Sequence, residues 1–313
     1  MRIFITGATG LIGRAAVLRL RRDGHTLAAW VRSPDKARAL LGAEAELIDA
    51  GGGDSQLEAQ LQRADAVLNL AGEPVVGKRW TARRRAALAA SRGGLTGRLV
   101  EAMGRGARRP GVLVSASAVG IYGHRAAETL TEQSAPGSDF LARLCIDWEE
   151  AANRATGLGV RVVTLRTGIV LGRDGGALAP LLPVFKLGLG GPVGDGQGYV
   201  PWIHLVDVAE VIARAVSDST VSGPLNVSAP TPATWREFAA ALGNALGRPS
   251  LVPVPALALR LRFGAAAAAV LGSQRAVPAR LQQLGFTFGF PELSGALRDV
   301  LSTDVEIVPV DPS

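Results

Sequence analysis

An apolar strand that runs straight into three glycines and then into a helix constrains this chain more than any other stretch. The segment is Ile3-Phe4-Ile5-Thr6-Gly7-Ala8-Thr9-Gly10-Leu11-Ile12-Gly13. Apolar positions at Leu11, Ala15, Leu18 and Leu20 continue the helix, and a second strand is expected over Thr26–Val31. Three glycines alone say little in a chain with 39 of them, so the strand before and the helix after carry the reading. The first glycine allows a sharp turn, the second lets backbone approach a pyrophosphate with no Cβ in the way, and the third lets helix pack on strand. Free N–H groups at the helix start then face the phosphates. Gly7, Thr9, Gly10, Leu11, Ile12 and Gly13 are therefore read as a dinucleotide phosphate cradle, with a tight structural turn as the alternative.

The second strand should end beside the adenosine ribose. An acidic residue there would hold the 2′-hydroxyl of NAD, but this chain reads Trp30-Val31-Arg32-Ser33, with Lys36 and Arg38 close behind. The planar fork of arginine makes charge-assisted, often bidentate bonds to phosphate. Arg32 and Ser33 are thus expected to favour NADP(H) over NAD(H); a solvated surface arginine is the other reading of Arg32.

With 313 residues, 48% hydrophobic and 19% charged, the chain has the composition of a soluble globular protein of one large or two modest domains. No run reaches the ~18–20 apolar residues of a membrane span, and Phe263–Leu271 is too short, so no membrane partner is expected. The N-terminus opens directly as a strand without a leader pattern, and a lone cysteine, Cys145, excludes an intramolecular disulfide; a cytoplasmic protein is expected. His25, His124 and His204 stand far apart, so no metal site is expected. The net charge of +7 and the cluster from Lys78-Arg79-Trp80 to Arg83-Arg84-Arg85 raise nucleic acid as a partner. The remaining charge is spread thinly, and three lysines among 34 basic residues fit a GC-rich coding sequence, so no nucleic-acid partner is expected.

Strand and helix patterns alternate through the first two thirds, with strands near Glu44–Asp49, Ala66–Leu70, Val112–Ser115 and Val160–Leu165. That alternation predicts an α/β fold with a doubly wound parallel sheet of Rossmann type. Long helices are expected from Thr81 to about Arg105 and from about Ser138 to Thr156. Glycine-rich loops after Gly172 mark a change to a smaller substrate lobe, with helical segments at Thr234–Leu246, Pro255–Leu271 and Val277–Leu284. The expected division is a cofactor domain over 1–172 with returns from 199–230, a lobe over 173–302, and a frayed tail over 303–313.

Further motifs follow in order: Asn69-Leu70-Ala71-Gly72-Glu73, Lys78-Arg79-Trp80, Ser91-Arg92, Ser115-Ala116-Ser117-Ala118-Val119-Gly120, Asp147-Trp148-Glu149, Leu165 to Gly172, and Pro201-Trp202-Ile203-His204. With Val277-Pro278 through Phe288 and Pro291-Glu292-Leu293, they resemble the extended short-chain dehydrogenase/reductases over almost the whole chain. The resemblance is stronger to an atypical, epimerase-like branch with its own C-terminal segment. It implies a Rossmann-type NADP-binding fold, a small C-terminal substrate lobe, and a small-molecule substrate. It also implies cofactor contacts at Arg92, from the Ser-Arg motif, and at Val170 beside the nicotinamide end. A surface ion pair is the other reading of Arg92. Leu70, Ala71 and Gly72, small residues at the end of a central strand, are read as letting the cofactor lie against backbone.

Ordinary members of that superfamily place Tyr and Lys four apart on one helix face, where lysine lowers the tyrosine pKa for proton transfer. This chain cannot do so. Its tyrosines are Tyr122 and Tyr199, followed four residues on by Ala126 and Ile203, and its lysines are Lys36, Lys78 and Lys186. Leu141 and Cys145 occupy the corresponding helix positions. Three replacements are candidates: Ser117 to polarise a substrate carbonyl, Tyr122 to supply a phenol, and His204 to shuttle a proton. Each has a structural alternative: a bonded serine at a strand end, a packed aromatic, and a histidine bonded at a helix start. Cys145 is read as a buried, inert thiol. The expected function is an NADP(H)-dependent, epimerase-like oxidoreductase with an atypical proton donor. The alternative is a cofactor-binding sensor or scaffold, and monomer and homodimer both stay open.

Overall fold

Short apolar runs bounded by glycine and polar turns form strands buried on both faces. The computed structural model describes residues 1–173, 175–176 and 178–302. Its main sheet has seven strands: β1 (Arg2–Thr6), β2 (Thr26–Val31), β3 (Glu46–Asp49), β4 (Ala66–Asn69), β5 (Val112–Ala118), β6 (Arg161–Thr167) and β7 (Gly223–Val227). They lie in the order β7-β6-β5-β4-β1-β2-β3 with every pairing parallel. Side chains alternate between faces: Ile3 and Ile5 join one core, and Phe4 between them joins the other. Helices Leu11–Arg22 and Leu205–Ser217 cover the first face, and helices Gly53–Gln62 and Leu95–Arg105 cover the second. The winding reverses between β1 and β4, which opens a crevice at their carboxyl ends.

The helix expected from Thr81 to Arg105 is continuous but not regular. Helix Ala82–Ala89, capped by the Thr81 side chain, passes through a π turn at Ala90–Gly94 into helix Leu95–Arg105. Gly93 and Gly94 sit in that turn, and a Cβ on Gly93 would lie only 3.5 Å from the Asp147 carbonyl oxygen, so the turn packs closely on helix Phe140–Asn153.

The remaining chain builds a second core around Trp202, Trp235, Phe238, Leu242 and Leu297, where helices Trp235–Leu246 and Leu293–Leu301 meet. Thr234 and Glu237 cap the first of these helices reciprocally. The helix expected over Pro255–Leu271 is broken into Ala256–Phe263, a 3-10 turn at Gly264–Ala267 and Ala268–Leu271, because Gly264 turns to a φ of +60°. That expected over Val277–Leu284 shortens to Ala279–Gln283 behind Pro278. Helix Leu293–Leu301 falls where the sequence shows only the Pro291-Glu292-Leu293 motif. The expected tail over 303–313 lies outside the described residues.

Candidate active site

Glycine is required by contact distance at two cradle positions. Gly7 turns at a φ of +72°, and a Cβ there would meet the Leu70 carbonyl carbon at 2.6 Å; a Cβ on Gly13 would meet the Gly7 carbonyl oxygen at 2.1 Å. Gly10 stands at the N-cap of helix Leu11–Arg22 with no side-chain cap, which leaves the first-turn N–H groups free for a ligand anion. A cavity of about 430 Å³ opens over Gly7, Thr9 and Gly10 and runs to Arg32 and Leu70–Glu73. Leu11 points elsewhere, with its methyl groups against Gly172 and Gly176, and Gly13 is buried in the helix–strand contact.

The Arg32 side chain is 90% exposed at the far end of this cavity and lies 3.7 Å from Glu73. Glu73 also accepts from Arg84 at 3.0 Å, and that bond holds its carboxyl below the usual range. Ser33 sits outside the cavity at the N-cap of helix Pro34–Leu41. The basic cluster is largely engaged with the protein itself: Arg79 donates to the Leu261 and Arg262 carbonyls, Arg84 to Glu73, and Arg85 lies over the Phe140 ring.

A second cavity of about 400 Å³ adjoins the first, sharing Leu70 and Gly72. Ile12, Val170 and Ser117 line it. Its helical wall carries Leu141, Leu144, Cys145 and Trp148, so the two positions used elsewhere for Tyr and Lys are here aliphatic and thiol. Burial, with Glu149 nearby, pushes the Cys145 thiol up to about 12, which leaves it protonated at neutral pH. Arg92 reaches the same cavity from the π turn. Its guanidinium lies 5.2 Å from the Trp148 ring centre and donates to the Glu73 carbonyl at 2.9 Å; burial lowers its pKa from the ordinary arginine value.

Behind Ser117 runs a buried polar chain. Ser117 Oγ donates to Glu149 Oε1 at 2.6 Å, and Arg166 grips both oxygens of Glu149 at 2.9 and 2.8 Å. Arg166 also donates to the Tyr122 hydroxyl at 3.0 Å, and Tyr122 donates to Asn226 at 2.6 Å. Tyr122 is fully buried, lines neither cavity, and has its pKa raised by burial.

His204 lies outside both cavities. Its Nδ1 accepts from the Val206 N–H at the start of helix Leu205–Ser217, its ring stacks on Phe290 at 3.8 Å, and Nε2 lies 3.1 Å from Asp299 but off the line of a good hydrogen bond. Burial lowers its pKa below the ordinary histidine value. The structure thus brings Ser117, Arg92, Val170 and the glycine loop to one crevice, and places Tyr122 and His204 away from it.

Sequence reasoning passed over Glu149 as an acceptor for Ser117, and Thr167, Tyr199 and Gln274 as polar groups of the second cavity. The Asp147-Trp148-Glu149 motif was the one available signal for the first of these.

The profile of the NAD dependent epimerase/dehydratase family matches residues 3–228, and that of a domain of unknown function, DUF1731, matches residues 254–300. An epimerase family protein SDR39U1 homolog, chloroplastic, from Arabidopsis thaliana is 39% identical over 303 residues, covering 96% of this chain and 87% of that protein. Epimerase family protein SDR39U1 of Mus musculus is 38% identical over 306 residues, covering 96% of this chain and all of that one. The crystal structure of human epimerase family protein SDR39U1 with NADPH superposes with a TM-score of 0.87 at 35% identity, over 96% of this chain and 99% of that one.

Proposed function

The chain belongs to the NAD dependent epimerase/dehydratase family, and from that premise we propose that it is an NADP(H)-binding, epimerase-like oxidoreductase acting on a small molecule without the usual Tyr and Lys pair. The observation that carries this reading is the crevice itself: a glycine cradle with no room for a Cβ at Gly7 or Gly13, running from an exposed arginine to an adjoining, mostly apolar cavity that holds a few polar side chains. That the human relative was crystallised with NADPH supports the choice of cofactor.

The chain's own residues divide as follows. The first-turn N–H groups after Gly10 hold the pyrophosphate, and Arg32 exchanges Glu73 for a 2′-phosphate. Bound there, NADP(H) supplies or accepts hydride. Arg92 and Val170 bound the cofactor's reactive end. Ser117 has committed its proton to Glu149, so it faces the cavity as an acceptor and orients a ligand hydroxyl. Tyr199 lines the same cavity, with the Arg275 guanidinium 5.2 Å from its ring, and is the phenol we assign to give or take the substrate proton. Tyr122 and His204 act as supports of the fold.

Titration of the purified protein with NADPH and NADH, on wild type and Arg32→Ala, tests the reading. The expected result is an NADPH preference of tenfold or more that the variant loses, since one charged hydrogen bond contributes roughly 1.5–3 kcal/mol. Failure to bind either nucleotide removes the oxidoreductase.

A further inference from the structure

The C-terminal lobe turns a run of aliphatic side chains outward to solvent. Leu187 is 75% exposed, Leu251 83%, Leu257 66% and Leu261 67%, with Val184, Leu189 and Val252 also exposed. These are not scattered singly. The Val252 N–H donates to the Gly190 carbonyl at 3.1 Å and the Val254 N–H to the Pro192 carbonyl at 2.8 Å, which holds the two segments side by side. Helix Ala256–Phe263 follows directly and buries none of its residues; Leu257 and Leu261, four apart, share one side of it. A contiguous aliphatic face of this kind on a folded protein marks a contact surface.

Its charge says what the contact is with. Lys186, Arg248, Arg260 and Arg262 stand in or next to these segments, and no Asp or Glu occurs in 175–194 or 238–291. Among the described residues, no carboxylate lies within ion-pair distance of these four cations. The anchors are leucines, with no tryptophan or tyrosine among them. Protein-binding hot spots favour Trp, Tyr and Arg and are poor in Leu, whereas leucines flanked by Lys and Arg that form no ion pair suit an acyl-chain boundary beneath anionic headgroups.

We propose that this face docks the protein on an anionic lipid bilayer, as a peripheral and reversible association. Leu187, Leu251, Leu257 and Leu261 enter the headgroup region while Lys186, Arg248, Arg260 and Arg262 meet lipid phosphates. Each charge contributes modestly, so binding depends on lipid charge and falls with salt. A face that lies on the bilayer surface needs no spanning segment.

Co-sedimentation tests this with full-length protein and vesicles of phosphatidylcholine containing phosphatidylglycerol, against pure phosphatidylcholine. Wild type is expected to pellet with the anionic vesicles and to be released by salt. Leu257→Asp/Leu261→Asp and, separately, Arg260→Gln/Arg262→Gln are each expected to weaken the association at least about tenfold. All altered side chains are exposed, so an unchanged unfolding midpoint serves as the folding control. Absence of pelleting with either vesicle overturns the proposal, as does equal pelleting of wild type and both variants. Self-association that Leu257→Asp/Leu261→Asp abolishes, without vesicle binding by wild type, also overturns it and assigns the face to contact between copies of the chain.

Discussion

Ser117 and Glu149 meet through a 2.6 Å hydrogen bond at the floor of the cavity, and the carboxylate that receives the serine proton is held on its other side by both arms of Arg166. A serine fixed this way has its hydrogen directed inward and its lone pairs left for a ligand. The bond also ties β5 to helix Phe140–Asn153, and Arg166 ties both to β6.

Glu149→Ala is expected to destabilise the protein by about 3–5 kcal/mol, because the change leaves the buried Arg166 guanidinium without its carboxylate. Urea unfolding measures it. A loss under about 1 kcal/mol would mean that water replaces the pair and that the network is less enclosed than its burial indicates.

Gly13→Ala should weaken nucleotide binding and stability together. The added methyl carbon would stand 2.1 Å from the Gly7 carbonyl oxygen, which is backbone, so helix and loop must separate. Overpacking of this sort costs about 1–3 kcal/mol. Thermal unfolding and NADPH titration report the two effects; unaltered affinity in a destabilised variant would separate the cradle from the packing contact.

Replacing Tyr199 with Phe tests the phenol. In single-turnover NADPH oxidation with any aldehyde or ketone that wild type reduces, Tyr199→Phe is expected to slow the chemical step by about 10²–10⁴, with nucleotide affinity unchanged. Wild-type rates in the variant would exclude this hydroxyl as the proton source.

His204 gives a pH dependence whose sign can be fixed in advance. Burial lowers its pKa in the folded state below the unfolded value of 6.5, so the unfolded chain takes up the proton first on acidification. Its contribution is present above about pH 6.5 and is lost as pH falls from there through the lower folded value. His204→Asn keeps an acceptor for the Val206 N–H but cannot titrate. Between pH 7.5 and 5.5 the wild-type melting temperature should drop further than that of the variant, and parallel curves would contradict it.

What could be read from the sequence follows the range of the interactions involved. Gly13 is fixed by contacts within a strand, turn and helix that are adjacent in the chain, and Gly7 by its local turn as well as by the distant Leu70, so their spacing announces them. The parallel sheet likewise shows in Ile3-Phe4-Ile5 and its counterparts, since strands covered on both faces read as unbroken apolar runs. The polar chain from Ser117 through Glu149, Arg166 and Tyr122 to Asn226 joins five elements, and no spacing rule links such positions. Tyr199 lies in the two-residue strand Tyr199–Val200, where the four-residue helical spacing of a Tyr and Lys pair has no bearing. The π turn at Ala90–Gly94 was equally hidden: Gly93-Gly94 signals a weak helix but not one residue too many.

That extra residue divides the long helix into two lengths that are indexed independently. Residues 95–105 take their rotation from the sheet they cover, while 82–89 take theirs from the loop around Glu73, which Arg84 holds. Since each helical residue advances the chain by about 100°, deleting one residue within 90–94 would act as a twist rather than a shortening. Both flanking lengths would survive, yet Arg84 and the sheet-facing leucines could no longer be in register at the same time. The turn is in that sense a gear tooth, and the alignment of Arg92 with the crevice depends on its count.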